Sequence, residues 1–221
     1  MRDELRELLA RAKGPAAATA RIIRLDERAD GELAPEGRWS LDGLRGRLVE
    51  LSARGATATL TEAVELVVEA QQAGEPAAWV TLSNATFYPP DAADSGVDLA
   101  ALAVVRVLDA TAAARAAERL LRSGGFGLVI LDFGGAGTVE VPIAHQGRLV
   151  TLAQAHDAAV VCITEKANDA ASLGSLVSLR AEALRLHERE HDYQVTLRVL
   201  KDKRRGPGWE KTLKKRLPAG L

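Results

Sequence analysis

The chain has 221 residues, a formal net charge of −1, 47% apolar residues and only 4% aromatic residues. That length suits one medium domain plus tails, with a core built from Ala, Leu and Val. No apolar run approaches the about 18 residues of a membrane span, so a membrane partner is excluded. The start "MRDELRELLARAKG" is charged and lacks an apolar h-region, which predicts no secretory leader. The single cysteine, Cys162, lies inside "AAVVCITE". It reads as a small core residue in a reduced, cytoplasmic setting.

In chain order, "RDELRELLARA" places Leu5, Leu8, Leu9 and Ala12 on one helical face before Gly14 and Pro15 break the pattern. A helix this short needs a surface for that stripe, on its own body or on a neighbour. Residues 26–38 are polar and read as a linker, so 1–38 form an N-terminal amphipathic helix and linker. From Trp39 strands and helices alternate. The strand candidates are 47–51, 77–82, 102–108, 127–133 and 159–164. The helix candidates are 60–73, 111–123 and 147–156, with Thr111 as an N-cap and Gly124 as a stop. Continuous apolar strands between helices predict a mostly parallel sheet covered on both faces. After Gly174, "SLVSLRAEALRL" and "YQVTLRVL" predict an antiparallel hairpin that closes the sheet. The core domain then spans 39–200.

The stretch from Lys201 to the end is a basic tail. Lys201, Lys203, Arg204, Arg205, Lys211, Lys214, Lys215 and Arg216 are opposed only by Asp202 and Glu210, a net of +6. The rest of the chain is mildly acidic, at −7. This asymmetry points to DNA or to an acidic surface on a partner. Trp209 is the single aromatic there and a candidate anchor.

His187-Glu188-Arg189-Glu190-His191 matches H-E-x-x-H, but its flanks read as strands. Zinc chemistry needs both imidazoles on one helical face, whereas a strand sets positions i and i+4 roughly 13 Å apart. The stretch is read as a charged hairpin tip, and no metal site is expected. "GGFG" and "GGAG" lack the strand–loop–helix context of a dinucleotide fingerprint.

"GRLVELSARGATATLTEA", residues 46–63, has the layout of a strand, a small-residue loop and a helix. A phosphate-binding loop of this kind needs G-x-x-x-x-G-K-[ST]. Here the lysine position falls on Thr57 or Thr59, and Arg54 lies before the crown of the loop. Phosphate neutralisation by a lysine is therefore absent.

The surroundings of this loop resemble the RecA family. "WSLDGLRGRLVEL" is similar to the segment leading into the RecA phosphate loop, and "GVDLAAL" to a later turn. "LRSGGFGLVILDF" is similar to the Walker B strand, with Asp132 at the family's aspartate. "LVTLAQAHDAAVVCITE" is similar to the next helix–strand unit, and "LRVLKDKRRGPG" to the basic exit. The collinear set runs from Trp39 to Gly208. It implies an α/β, RecA-like P-loop fold with a mostly parallel central sheet flanked by helices and a C-terminal antiparallel hairpin. Thr57, Thr59 and Asp132 are its vestigial nucleotide-site residues. Ser83-Asn84 stand where RecA has its water-polarising glutamate, and Thr164-Glu165 where it has its nucleotide-sensing pair. The loops that bind single-stranded DNA in RecA map to 134–147 and 165–174, where Lys166 is the only basic residue and no aromatic can stack.

A RecA frame without its catalytic set resembles the ImuA family of the bacterial SOS mutagenesis cassette. That resemblance implies a non-enzymatic, cofactor-free accessory protein in translesion DNA synthesis. Its partners would be an ImuB-type polymerase-like protein, with RecA and DNA as further candidates. Leu5, Leu8 and Leu9 and the basic tail are the expected contact surfaces. The alternatives are a SulA-like division inhibitor and an active RecA-family ATPase with an atypical loop.

Overall fold

The computed structural model describes residues 39–55, 57–83, 87–189 and 192–216, with backbone alone at 187–189, 192, 215 and 216. Leu5, Leu8 and Leu9, the linker, Asn84 and His191 lie outside the described residues. The elements in order are α1 (Leu41–Leu44), β1 (Arg47–Ser52), α2 (Thr59–Gln72), β2 (Ala77–Leu82), α3 (Pro89–Asp94) and β3 (Leu102–Val107). They continue with α4 (Ala110–Arg122), β4 (Leu128–Asp132), α5 (Ile143–Ala155), β5 (Ala159–Thr164), β6 (Leu179–Arg189), β7 (Asp192–Asp202) and β8 (Glu210–Arg216).

The eight strands form one sheet in the order β3-β2-β4-β5-β1-β6-β7-β8. The pairs from β3 through β6 are parallel, while β6–β7 and β7–β8 are antiparallel. Alternation along each inner strand splits the core into two layers. Val49, Leu51, Trp79, Ile130, Val161 and Leu197 face one side and pack with Leu66 and Val67 of α2. Leu48, Val80, Leu131, Val160 and Cys162 face the other, under Ala114, Ala117 and Leu121 of α4 and Leu149 of α5. Each buried Val, Leu or Ile among them contributes about 1.5–3 kcal/mol of burial free energy, which fixes the register. This is a RecA-like architecture.

Four expectations shift. Asp109, not Thr111, caps α4 by accepting from the Ala112 amide at 2.7 Å. A short carboxylate two residues earlier reaches the free amides that a residue already inside the helix cannot. Helix α5 starts at Ile143 rather than 147, directly after Pro142, whose fixed φ suits a helix entrance. The hairpin's first strand, β6, also runs parallel to β1, so the hairpin extends the sheet and does not merely close it. The basic segment is not a free tail: 201–202 finish β7, and 210–216 form β8 on the sheet's outer edge. Its lysines hid the strand, because edge strands tolerate cations on either face. Trp209 packs against the core.

Candidate functional site

The β1–α2 loop lies at the C-terminal end of the parallel strands, the end at which open α/β sheets bind ligands. Thr59 is the first residue of α2, the position a phosphate-loop lysine would take, and its side chain is buried at 6% exposure. Gly55 takes a positive φ of 85° and turns the chain. Thr57 forms an isolated antiparallel bridge with Leu184 of β6. The Ala58 amide donates to the Ala183 carbonyl at 3.0 Å, and the Thr59 amide donates to Thr57 Oγ1 at 3.1 Å. The two threonine hydroxyls also meet, at 3.0 Å. Two amides at the entrance of α2, those of Ala58 and Thr59, therefore already have protein acceptors. The first turn of α2 carries its own carboxylate, Glu62, which answers the helix dipole where an anion would otherwise do so.

Asp132 ends β4 and is fully buried. It accepts from the Trp79 indole N–H at 3.2 Å, Thr81 Oγ1 at 3.3 Å and the Gly134 amide at 3.0 Å. Burial raises its pKa, and these three donors oppose the rise. Thr57 and Thr59 are thus brought together, while the bonds of Asp132 go to β2 and to the turn after β4.

Sequence reasoning missed the charged cluster beside the loop. Glu50 lies in mid-β1 and is fully buried. It accepts from Lys166 Nζ at 2.8 Å, Thr164 Oγ1 at 2.9 Å and the Leu173 amide at 2.7 Å. Arg180 Nε donates to Ser52 Oγ at 3.1 Å and lies 3.9 Å from Glu50 Oε2. The Arg180 guanidinium also holds the carbonyls of Ala167 and Ala170. Glu165 Oε1 accepts from the Gly135 amide at 2.9 Å, and Gln146 Nε2 donates to the Val141 and Leu173 carbonyls. The two loops after β4 and β5 are thereby tied to the body and to each other. Lys166, the one basic residue in them, is spent on Glu50. The signal was present: charges at Arg47 and Glu50 inside a doubly covered strand demand buried partners. Arg47 finds Asp202 at 2.6 Å, with both side chains fully buried.

Of the predicted basic contacts, Lys203 Nζ donates to the Ser175 carbonyl at 2.5 Å. Arg204 donates to the carbonyls of Arg45 at 3.2 Å and Gly46 at 3.0 Å. Lys211 lines a cavity of about 160 Å³ with Trp39, Glu62, Glu65, Leu66 and Glu69. Lys201, Arg205 and Lys214 are half-buried or exposed, and Lys215 and Arg216 lie in β8. His187 and Arg189 sit in β6 at the hairpin end, where His187 pairs with Tyr193. Among the described residues no group of His, Cys, Asp and Glu is placed to hold a metal. No described helix is long and apolar enough to cross a membrane.

The sheet with this strand order, its antiparallel C-terminal strands and the β1–α2 loop at the C-terminal end of the parallel strands fit a RecA-like fold. The chain is 35% identical to protein RecA of Leifsonia xyli subsp. xyli over 120 residues, which are 50% of this chain and 33% of that protein. It is 36% identical to RecA of Kineococcus radiotolerans over 120 residues and 31% identical to RecA of Picosynechococcus sp. over 119, again 50% of this chain and 34% of each relative. It thus spans about a third of the length of the curated relatives it matches. No protein-family model matches it.

Proposed function

We propose that this chain is a RecA-like accessory protein that turns over no nucleotide and works through partner contacts. Its setting is the cytoplasmic SOS mutagenesis response, in the manner of ImuA. The partners are an ImuB-type polymerase-like protein, RecA and DNA. One observation carries the non-catalytic part. The Ala58 amide is bonded to Ala183 of β6, and a buried threonine opens α2 where a lysine would be needed. Phosphoryl transfer needs both the cradle and the cation. The loops after β4 and β5 support the same reading. Their single cation is neutralised by Glu50, and the Leu173 amide is bonded to the same carboxylate. The functional surfaces are then the N-terminal segment with Leu5, Leu8 and Leu9 and the basic segment from Lys201. Titration calorimetry with Mg-ATP tests the first part, with no heat expected. Co-purification with an ImuB-type protein and with RecA tests the second. ATP turnover, or capture of neither protein, overturns the reading.

A further inference from the structure

The turn between β7 and β8 gathers more positive charge than its acids can cancel: Lys201, Lys203, Arg204 and Arg205 stand beside Asp202 alone, which Arg47 also pairs. Lys201 lies near the end of β7, and Lys203, Arg204 and Arg205 form the exposed turn that follows. The two acids of this stretch are paired with arginines outside it: Asp202, which also accepts the Arg204 amide at 2.9 Å and the Arg205 amide at 3.4 Å, with Arg47 at 2.6 Å, and Glu210 with Arg198 at 2.7 Å. Lys203 and Arg204 are held by main-chain carbonyls. Neutral acceptors fix a cation's position without removing its charge. The crowding reaches inward. Burial lowers the pKa of Lys201, and the Lys203 ammonium lowers it further against the opposing pull of Glu50.

Protection of a sheet edge accounts for the strand cations of β8 but not for this turn, which has no ladder to shield. Lys211 faces the acidic side chains of α2. The turn itself offers no exposed large apolar side chain, and the nearby Trp209 is packed on the core. A protein interface draws its energy from apolar and aromatic anchors, whereas a phosphodiester backbone is held by charge alone.

We propose that Lys201, Lys203, Arg204 and Arg205 grip the phosphate backbone of a nucleic-acid strand, without reading its bases. This rests on the reading above that the loops after β4 and β5 have given up nucleic-acid contact. The test is fluorescence anisotropy of the full chain with a labelled random-sequence oligonucleotide, single- and double-stranded, between 50 and 200 mM KCl. About four phosphate contacts give a slope of log K against log salt near −2.8 for the single strand and −3.6 for the duplex. Lys203→Ala with Arg205→Ala is expected to weaken binding about tenfold at the low salt and to flatten the slope by about 1.5. Lys211→Ala with Lys214→Ala is expected to change either quantity by less than half as much. Melting followed by circular dichroism checks that the variants fold. No binding at 50 mM salt, binding unaffected by the turn variant, or salt-independent binding overturns the proposal. Loss of a protein partner by the turn variant with oligonucleotide binding unchanged also overturns it, while leaving the proposed function standing. Heat with Mg-ATP beside turn-dependent oligonucleotide binding does the reverse.

Discussion

Replacing Glu50 by glutamine tests whether one buried carboxylate holds the loop after β5. The wild-type side chain has no exposure and accepts from a lysine, a threonine and a main-chain amide. Glutamine keeps the shape but turns an NH2 toward donors and leaves the Lys166 ammonium and the Arg180 guanidinium without their counter-ion. Breaking a buried pair in this way costs about 3–5 kcal/mol, a large part of the about 5–15 kcal/mol that stabilises a typical domain. Urea unfolding at pH 7 reads this as a lower midpoint with an unchanged m-value. Hydrogen exchange is expected to accelerate in 165–178 more than in α2. Adding Lys166→Met removes the stranded cation, so the double variant should lose at least 1 kcal/mol less than the sum of the singles. A loss below 1 kcal/mol for Glu50→Gln, or exchange unchanged in that loop, refutes the idea that the cluster fastens it.

Thr59→Lys should not restore Mg-ATP binding in calorimetry, because the Ala58 amide stays bonded to β6; tight binding would mean the missing lysine was the whole defect. Arg47→Met strands the buried Asp202 and should cost about 3–5 kcal/mol in urea unfolding. Glu118 is buried, which by itself raises its pKa, but His145 and Arg148 outweigh that and hold it below the usual carboxylate range. Its contribution is therefore present above the unfolded value of about 4.3 and lost as pH falls through the lower folded one. The acid limb of the melting-temperature curve should accordingly be shallower in Glu118→Gln. Burial pushes the Cys162 thiol pKa well up, so a thiol reagent at pH 8 should label it only after unfolding.

The sequence alone determined β1, β2, β4 and β5, because each is a continuous apolar run that only a doubly covered parallel strand can use; β3, on the outer edge, was legible as an apolar run although only alternate residues are covered. The boundaries 77–82 and 159–164 coincide with β2 and β5. It also determined the absence of a lysine between Ala53 and Thr59, since no fold supplies a missing side chain. Strand β8 was not legible: on a free edge, Lys211, Lys214 and Lys215 give no alternation distinguishable from a solvated tail. Tertiary structure decided the state of the loop. Ala58 and Ala183 are 125 residues apart, and no local pattern announces that the amide of one reaches the carbonyl of the other. The same holds for Glu50, whose partners Thr164, Lys166 and Leu173 come from the end of β5 and the loop beyond it. A buried charge in a strand announces that it needs partners, and only the packed sheet decides which ones it gets.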